Sequence, residues 1–486
     1  MKTVSLPLVA LCLLCGAHVA SATNVEGMPD PFFGFGGYRL IDFPTQPNRT
    51  DFLYGVAVTA DQRIVTAGTV NVGPGNNSIG VSRLLADGGF DSSFGVGAGY
   101  LVVPGSLKEP GAIVQAYALA LQSDGKIVVA GSYGSSTTQA NEFLVLRMRA
   151  DGSGVDATFG TNGFVVVPFN LGGDKIDVAT SIAIQSDGKI VVAGGARLGA
   201  TDSDIAVVRL LTNGALDASF DVDGKKTIWF DLGGAGNDNF DVANALTIQP
   251  DGKILVAGSA TTPTGRDCVV ARLASNGSLD ATFGNLSSGK SRVAFSSARD
   301  DEATAIAFSQ SALDSNGTSR RIVIAGSADA WLGGTEFAVA VLTENGQLDS
   351  AFSGDGKLTI PFNLSSPTAD SANALVIQTG WTSGPFKFPY RKIVLGGGAY
   401  SSAVLPHFEY ALARLGFDGT LDSTFGTGGK SHFTYDVDAD SQPNGVSING
   451  MAVQGNQLVI GGNTNVRRFA APADADFILG RVLLDD

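Results

Sequence analysis

The chain has 486 residues, with 32 Lys and Arg against 46 Asp and Glu, for a formal charge of −14. That balance argues against nucleic acid and anionic membrane surfaces as partners. Only 3 Cys are present, which excludes a disulfide framework, and 44% hydrophobic content with 64 Gly indicates a folded, turn-rich chain rather than a disordered one.

Residues 1–22 read as a secretory signal. Lys2 gives a basic start, Leu6 to Cys15 an apolar stretch, and Ala20-Ser21-Ala22 the small residues of a cleavage site after Ala22. The apolar run is too short for a stable membrane span, and no later segment is long and apolar enough for one. The expected location is therefore outside the cytoplasm, in the periplasm or the medium. Cleavage leaves one cysteine, Cys268, expected as a small core residue. Residues 23–486 are expected to form a single domain and a monomer.

From Asp30 onward one sentence is written repeatedly. The Gly closing each "VVAG"-like run falls at Gly68, Gly131, Gly194, Gly258, Gly326, Gly396 and Gly461. The Phe of the "LDxxFG" run falls at Phe33, Phe94, Phe159, Phe220, Phe283, Phe352 and Phe425. A fixed period of this size marks a repeat architecture. Each copy reads as four short strands, with an Asp-Gly turn such as Asp187-Gly188 between the first two. Asp-Gly suits a hairpin if both residues take positive φ. The first two strands are apolar at nearly every position, as expected when both faces are covered. The fold expected is all-β: a seven-bladed β-propeller with four antiparallel strands per blade. Its ring would be closed by an N-terminal strand from the segment Asp30 to Phe43, which completes the last, unfinished copy. A linear solenoid would need end caps and no split repeat.

The phrases "QSDGKIVVAG", "FAVARL" and "DGxLDxxFGxxG" resemble the delta-60 repeat family of bacterial proteins, over essentially all of the mature chain. The resemblance implies a β-propeller and no established activity. Copies five to seven depart from it: Val341 replaces the usual third-strand Arg, insertions enter the first hairpins of copies five and six, and Gly455-Asn456-Gln457 replaces Asp-Gly-Lys.

Two sets of acids recur. The Asp of "LDxxFG" (Asp30, Asp91, Asp156, Asp217, Asp280, Asp349, Asp422) and the third-strand Arg (Arg83, Arg147, Arg209, Arg272, Arg414, Arg481) lie beside apolar strands. Burying either alone costs several kcal/mol, so the expectation is structural pairing. The second set, Asp51, Asp177, Asp241, Asp301 and Asp370, precedes the first strand, with Val114 and Val446 at the aligned positions of copies two and seven. Around a channel mouth, such carboxylates would suit Ca²⁺ or Mg²⁺. Alternatively each bonds the backbone of its own lead-in loop.

The enlarged hairpin of copy six carries Trp381, Phe386, Phe388, Tyr390 and Arg391. An aromatic, basic tongue on an acidic protein reads either as a partner contact or as a cover folded back on the channel. Enzyme signatures are thin: His407 and His432 are the only histidines after residue 22, and there is no nucleophile elbow and no phosphate loop. The leading functional expectation is a secreted binding or scaffold module for a protein or glycan. The alternatives are a carbohydrate lyase or hydrolase with its site at the channel mouth, and a cation-binding structural protein of the cell surface.

Overall fold

A computed structural model describes residues 26–43, 50–73, 76–108, 111–134, 141–172, 176–199, 202–233, 239–286, 288–296, 300–310, 320–330, 333–381, 389–401, 407–435, 446–466 and 474–484. These residues are all β except for a short 3-10 turn at Gly105–Leu107. The signal-like segment 1–22 lies outside them.

Four-stranded antiparallel units follow one another. The first runs through Phe52–Val58, Ile64–Gly73, Asn76–Leu84 and Tyr100–Pro104. The same order recurs over 113–167, 177–228, 239–293, 301–360 and 371–433. A last group, Val446–Gln454, Gln457–Val466 and Asp474–Leu483, takes its fourth strand from the start of the chain: Tyr38 stands opposite Gly480 and Ile41 opposite Phe477. First strands of successive units pack against each other, and Phe52–Val58 packs against Val446–Gln454. The core is a series of layers between units. One layer joins Val65, Ile79 and Val81 to Val129, Leu144 and Leu146 of the next unit. The repeated Phe anchors each layer, and Phe94, Phe159 and Phe220 are fully buried. Each such burial contributes about 1.5–3 kcal/mol.

The hairpin turn differs from the expected one. Gln122 N bonds Lys126 O, and Gly125 N bonds Gln122 O. Only the Gly takes positive φ, +81° at Gly125 and +82° at Gly188. This is a three-residue loop ending in a left-handed Gly, not a two-residue turn with both residues at positive φ. The Asp instead uses its carboxylate, as where Asp124 Oδ1 accepts from Lys126 N at 3.2 Å.

Each first strand carries a β-bulge at the same place, for example between Ala116 and Ala118 and between Ala179 and Ser181. The bulge explains the repeated Gly. A Cβ on Gly131 would lie 1.8 Å from Gln115 O, and one on Gly194 1.9 Å from Val178 O. It also corrects the alignment of the last two copies. The Gly pressed against the bulge there is Gly397 (1.8 Å from Ser371 O) and Gly462 (1.8 Å from Ser447 O), one residue beyond Gly396 and Gly461. The "GG" and "GGG" runs hid the register. Gly131→Ala is accordingly expected to destabilise by about 1–3 kcal/mol through overpacking. Gly199→Ala, where a Cβ meets nothing within 4 Å, should leave the midpoint of a urea titration unchanged.

Candidate functional site

The Arg and Asp of the repeat are structural and sit at the junctions between successive units. Arg147 Nε bonds Asp156 Oδ2 at 3.0 Å, its guanidinium lies 4.5 Å from the centroid of the Phe159 ring, and Nη1 reaches Thr212 O of the next unit at 2.5 Å. The same three contacts recur at Arg83, Arg209, Arg272 and Arg414. Arg481 pairs with Asp30, stands over Phe33 and donates to Ala86 O at 2.5 Å. Where Val341 replaces the Arg, Arg321 supplies the guanidinium to Asp349 from the second strand. These pairs hold Asp217 at a pKa of about 2, hydrogen bonds from Ser219 and the charge of Arg209 outweighing its burial.

The second acid set is buried and points into the loops that lead to the first strands. Phe169 N bonds Asp177 at 3.0 Å, Phe230 N bonds Asp241 at 2.5 Å, Phe295 N bonds Asp301 at 2.7 Å and Phe362 N bonds Asp370 at 2.9 Å. Asp51 accepts from Asn71 N at 2.9 Å. The structure does not bring the five together around the mouth. Among the described residues no three His, Cys, Asp or Glu side chains form a group that could hold a metal ion.

Asp241, Asp301 and Asp370 instead feel the charge of a carboxylate of the preceding unit, Asp204, Asp267 and Glu336 in turn. Short parallel contacts join the start of a third strand to the next first strand: Asn141 with Ile176, Ser203 with Phe240, and Thr335 with Ala369. The next residues in register are Glu142 and Asp177, Asp204 and Asp241, and Glu336 and Asp370. Burial, then the charges of Asp202 and Asp231, push Asp204 up to about 6. Burial pushes Asp241 to about 7, with Asp204 and Asp231 adding to it against the N–H of Phe230. Asp301 rises to about 6 by burial. Lys290, whose ammonium lies 5.2 Å from the ring centroid of the exposed Trp229, acts against the rise at both Asp204 and Asp241.

The junction between the sixth and seventh units is different: as Val114 does between the first two units, Val446 stands there in place of the Asp. The third-strand acid there is Glu409, and the two histidines among the described residues flank it. His432 Nδ1 lies 2.6 Å from Glu409 Oε2 and His407 Nε2 lies 3.5 Å from Oε1. His407 opens the strand His407–Leu415 and His432 lies in Lys430–Phe433, opposite Ala411. The hydrogen bond to Glu409 raises the pKa of His432, and the same bond holds Glu409 below its ordinary value. The His432 ring is half exposed, while Glu409 is largely covered. Phe408, 40% exposed, meets Tyr400 edge-on at 5.3 Å. The sequence reading missed this arrangement because it sought His clusters in sequence, whereas a β pairing across 23 residues assembles this one.

Of the tongue, Phe386 and Phe388 and the side chain of Trp381 lie outside the described residues. Tyr390 stands opposite Gly380 and accepts from Gln378 Nε2 at 3.3 Å. Arg391 reaches Ser309 Oγ of the preceding unit at 2.7 Å and lies over Phe417. Cys268 is buried in the core, as expected, and burial pushes its thiol well up. No helix among the described residues is long and apolar enough to cross a membrane.

Five stretches of the chain, 59–94, 122–159, 185–220, 249–283 and 319–352, match the family described as a domain of unknown function (DUF5122) β-propeller. That supports a β-propeller repeat family, in coarser terms than the delta-60 resemblance. No curated protein matches. Among solved structures the chain is similar to polysaccharide lyase Uly1, at 11% identity over 93% of each chain with a TM-score of 0.42. It is similar to a PL25 ulvan lyase at 10% identity, over 91% of this chain and 96% of that one, with a TM-score of 0.42. Fructan 1-exohydrolase IIa from Cichorium intybus matches at 9% identity, over 94% and 97%, with a TM-score of 0.29. The names of these neighbours are those of carbohydrate-active enzymes, against the leading expectation of a binding or scaffold module and on the side of its carbohydrate-active alternative. The likeness concerns the fold, and any enzymatic reading rests on the chain's own residues.

The paired acids give a pH test. A carboxyl whose folded pKa lies above its unfolded value, about 3.9 for Asp, stabilises most at low pH and loses that contribution as pH rises through the folded value. For Asp241 the window runs from about 4 to about 7. Asp241→Asn should raise the melting temperature at pH 8 and leave it nearly unchanged at pH 4. An equal effect at both values in differential scanning calorimetry would count against a raised pKa at Asp241.

Proposed function

We propose that the chain is a secreted carbohydrate-active β-propeller of seven blades that cleaves an acidic polysaccharide by elimination. The observation that carries the chemistry is the convergence of His407 and His432 on Glu409. Hydrolysis by the usual route needs two carboxylates flanking the scissile bond, and this site has one carboxylate between two imidazoles. Glu409 orients His432 and stabilises its charged form. In its neutral form His432 takes the proton beside the substrate carboxyl. A carbon–carbon double bond forms as the glycosidic C–O bond breaks, and His432 passes the proton to the leaving oxygen. No water is consumed. The site lies on the third and fourth strands, toward the rim, rather than at the channel mouth expected for the enzyme alternative.

Closure of the ring is supported by three contacts between the two ends of the chain. Tyr38–Ile41 pairs with the last third strand, Asp30 N bonds Arg481 O at 2.7 Å, and Arg481 reaches Ala86 O. Deleting residues 30–43 should lower the melting temperature sharply and leave the protein prone to association through its open edge. A monomer melting as the parent does would remove the closed disc.

The catalytic reading is tested on alginate, polygalacturonate, hyaluronan and ulvan, following the ultraviolet absorbance of the unsaturated product. His432→Ala should lower kcat by about 10²–10⁴-fold. The rate should rise with pH through the raised pKa of His432, and Glu409→Gln should move that limb to lower pH. Undiminished turnover by His432→Ala would sink the assignment.

A further inference from the structure

The bulged residue of the first strand reveals where the repeat gives up symmetry. In five units it is Thr180, Asn244, Thr304, Asn373 or Asn449. Each donates from its side chain to a backbone carbonyl of the next first strand: Ala243 O at 2.7 Å, Ala303 O at 2.9 Å, Ala372 O at 2.6 Å, Ile448 O at 3.0 Å and Leu53 O at 2.9 Å. In the first two units the position holds Tyr54 and Tyr117. Tyr117 donates its hydroxyl to Gln115 Oε1 in its own strand at 3.1 Å, and Ser132 donates to the same oxygen at 3.2 Å. The junction between these two units is held by a different group, Thr69, which accepts from Ala116 N at 3.1 Å and donates to Ala116 O at 3.3 Å.

Tyr54 is thus relieved of the stitching that the other bulge residues perform, while Tyr117 turns its hydroxyl to its own strand. Their rings meet at 5.2 Å and 60°, and Phe52, 38% exposed, stacks on Tyr54 at 6.2 Å and 29°. Three consecutive rings therefore run along the innermost strands of two adjacent units, with hydroxyl and amide groups at their edge. Aromatic faces beside a few fixed polar groups are the usual make-up of a small-molecule site. A pyranose fits this combination, since it offers an apolar C–H face to a ring and hydroxyls to the Tyr and Gln edges.

We propose that Phe52, Tyr54 and Tyr117 form a stacking subsite for consecutive pyranose units of a polysaccharide, with Gln115 fixing a sugar hydroxyl. This rests on the carbohydrate-active reading for its ligand class, but not on the histidine chemistry, and the two are separable. Binding is measured by titration calorimetry on the full-length mature chain carrying Glu409→Gln, with tetrasaccharide fragments of alginate, polygalacturonate, hyaluronan and ulvan as probes. The informative variant is Tyr54→Thr with Tyr117→Asn, which installs the residue types that stitch the other units and should melt no lower than the parent. It should weaken tetrasaccharide binding at least tenfold and, in the background with Glu409 intact, raise KM with little change in kcat. Tyr54→Phe should retain most of the affinity, because stacking survives the loss of the hydroxyl. Binding that persists where no polysaccharide is cleaved would overturn the His432 mechanism and keep the subsite. Unchanged affinity in the Thr/Asn variant, or no binding of any probe by the parent, would overturn the subsite whatever becomes of the catalysis.

Discussion

A guanidinium held between its own unit and the next is the interaction on which the architecture depends. It sits on the face of the buried Phe, bonds the Asp and the hydroxyl of its own turn, and donates from Nη1 to a carbonyl across the junction. Breaking a buried ion pair of this kind by removing one partner costs about 3–5 kcal/mol, since the other charge is left uncompensated. That penalty explains why three residue types recur together. The fifth unit supports the argument by exception: with Val341 in the third strand, Arg321 brings a guanidinium to Asp349 from a neighbouring strand. The requirement is for the charge at that point, not for the residue at that position.

Within each unit the constraint is steric. The bulge turns a first-strand carbonyl toward the second strand, and only Gly can face it. The same bulge aims a side chain at the neighbouring unit, where Thr or Asn can bond a carbonyl. One irregularity in the ladder therefore sets both the repeated Gly and the inner seam. It also decides where aromatic residues can be accommodated without loosening the junction, because Thr69 bonds both backbone groups of Ala116.

Much of the fold was legible in the sequence, because the features that impose it recur at a fixed spacing. The Phe and Asp-Arg repeats announced four-stranded units, and the split repeat pointed to pairing between the chain's two ends, which Tyr38 and Gly480 display. The hairpin type was misread because Asp124 and Gly125 divide the labour, one by carboxylate and one by φ. The last two glycines were misplaced by one residue because adjacent Gly residues are indistinguishable without the bulge. The candidate site was far less legible. Its residues come from different strands of the sixth unit, and its meaning depends on Val446, where a missing Asp leaves Glu409 to the histidines. The acids singled out in sequence do cluster, but with the preceding unit rather than with each other, as Asp204 and Asp241 illustrate.

In every unit but the fifth an Arg-to-carbonyl bond runs the same way, from a unit to its successor, and Arg481 carries that sense from the C-terminal unit back to Ala86. A run of like-directed bonds has no privileged starting point. A circular permutant that begins between any two units, with the natural termini joined through a linker, would preserve every one of these bonds. The break now lies within the last unit, where strand pairing holds the ends together at a seam that the chain's own synthesis finishes first and last.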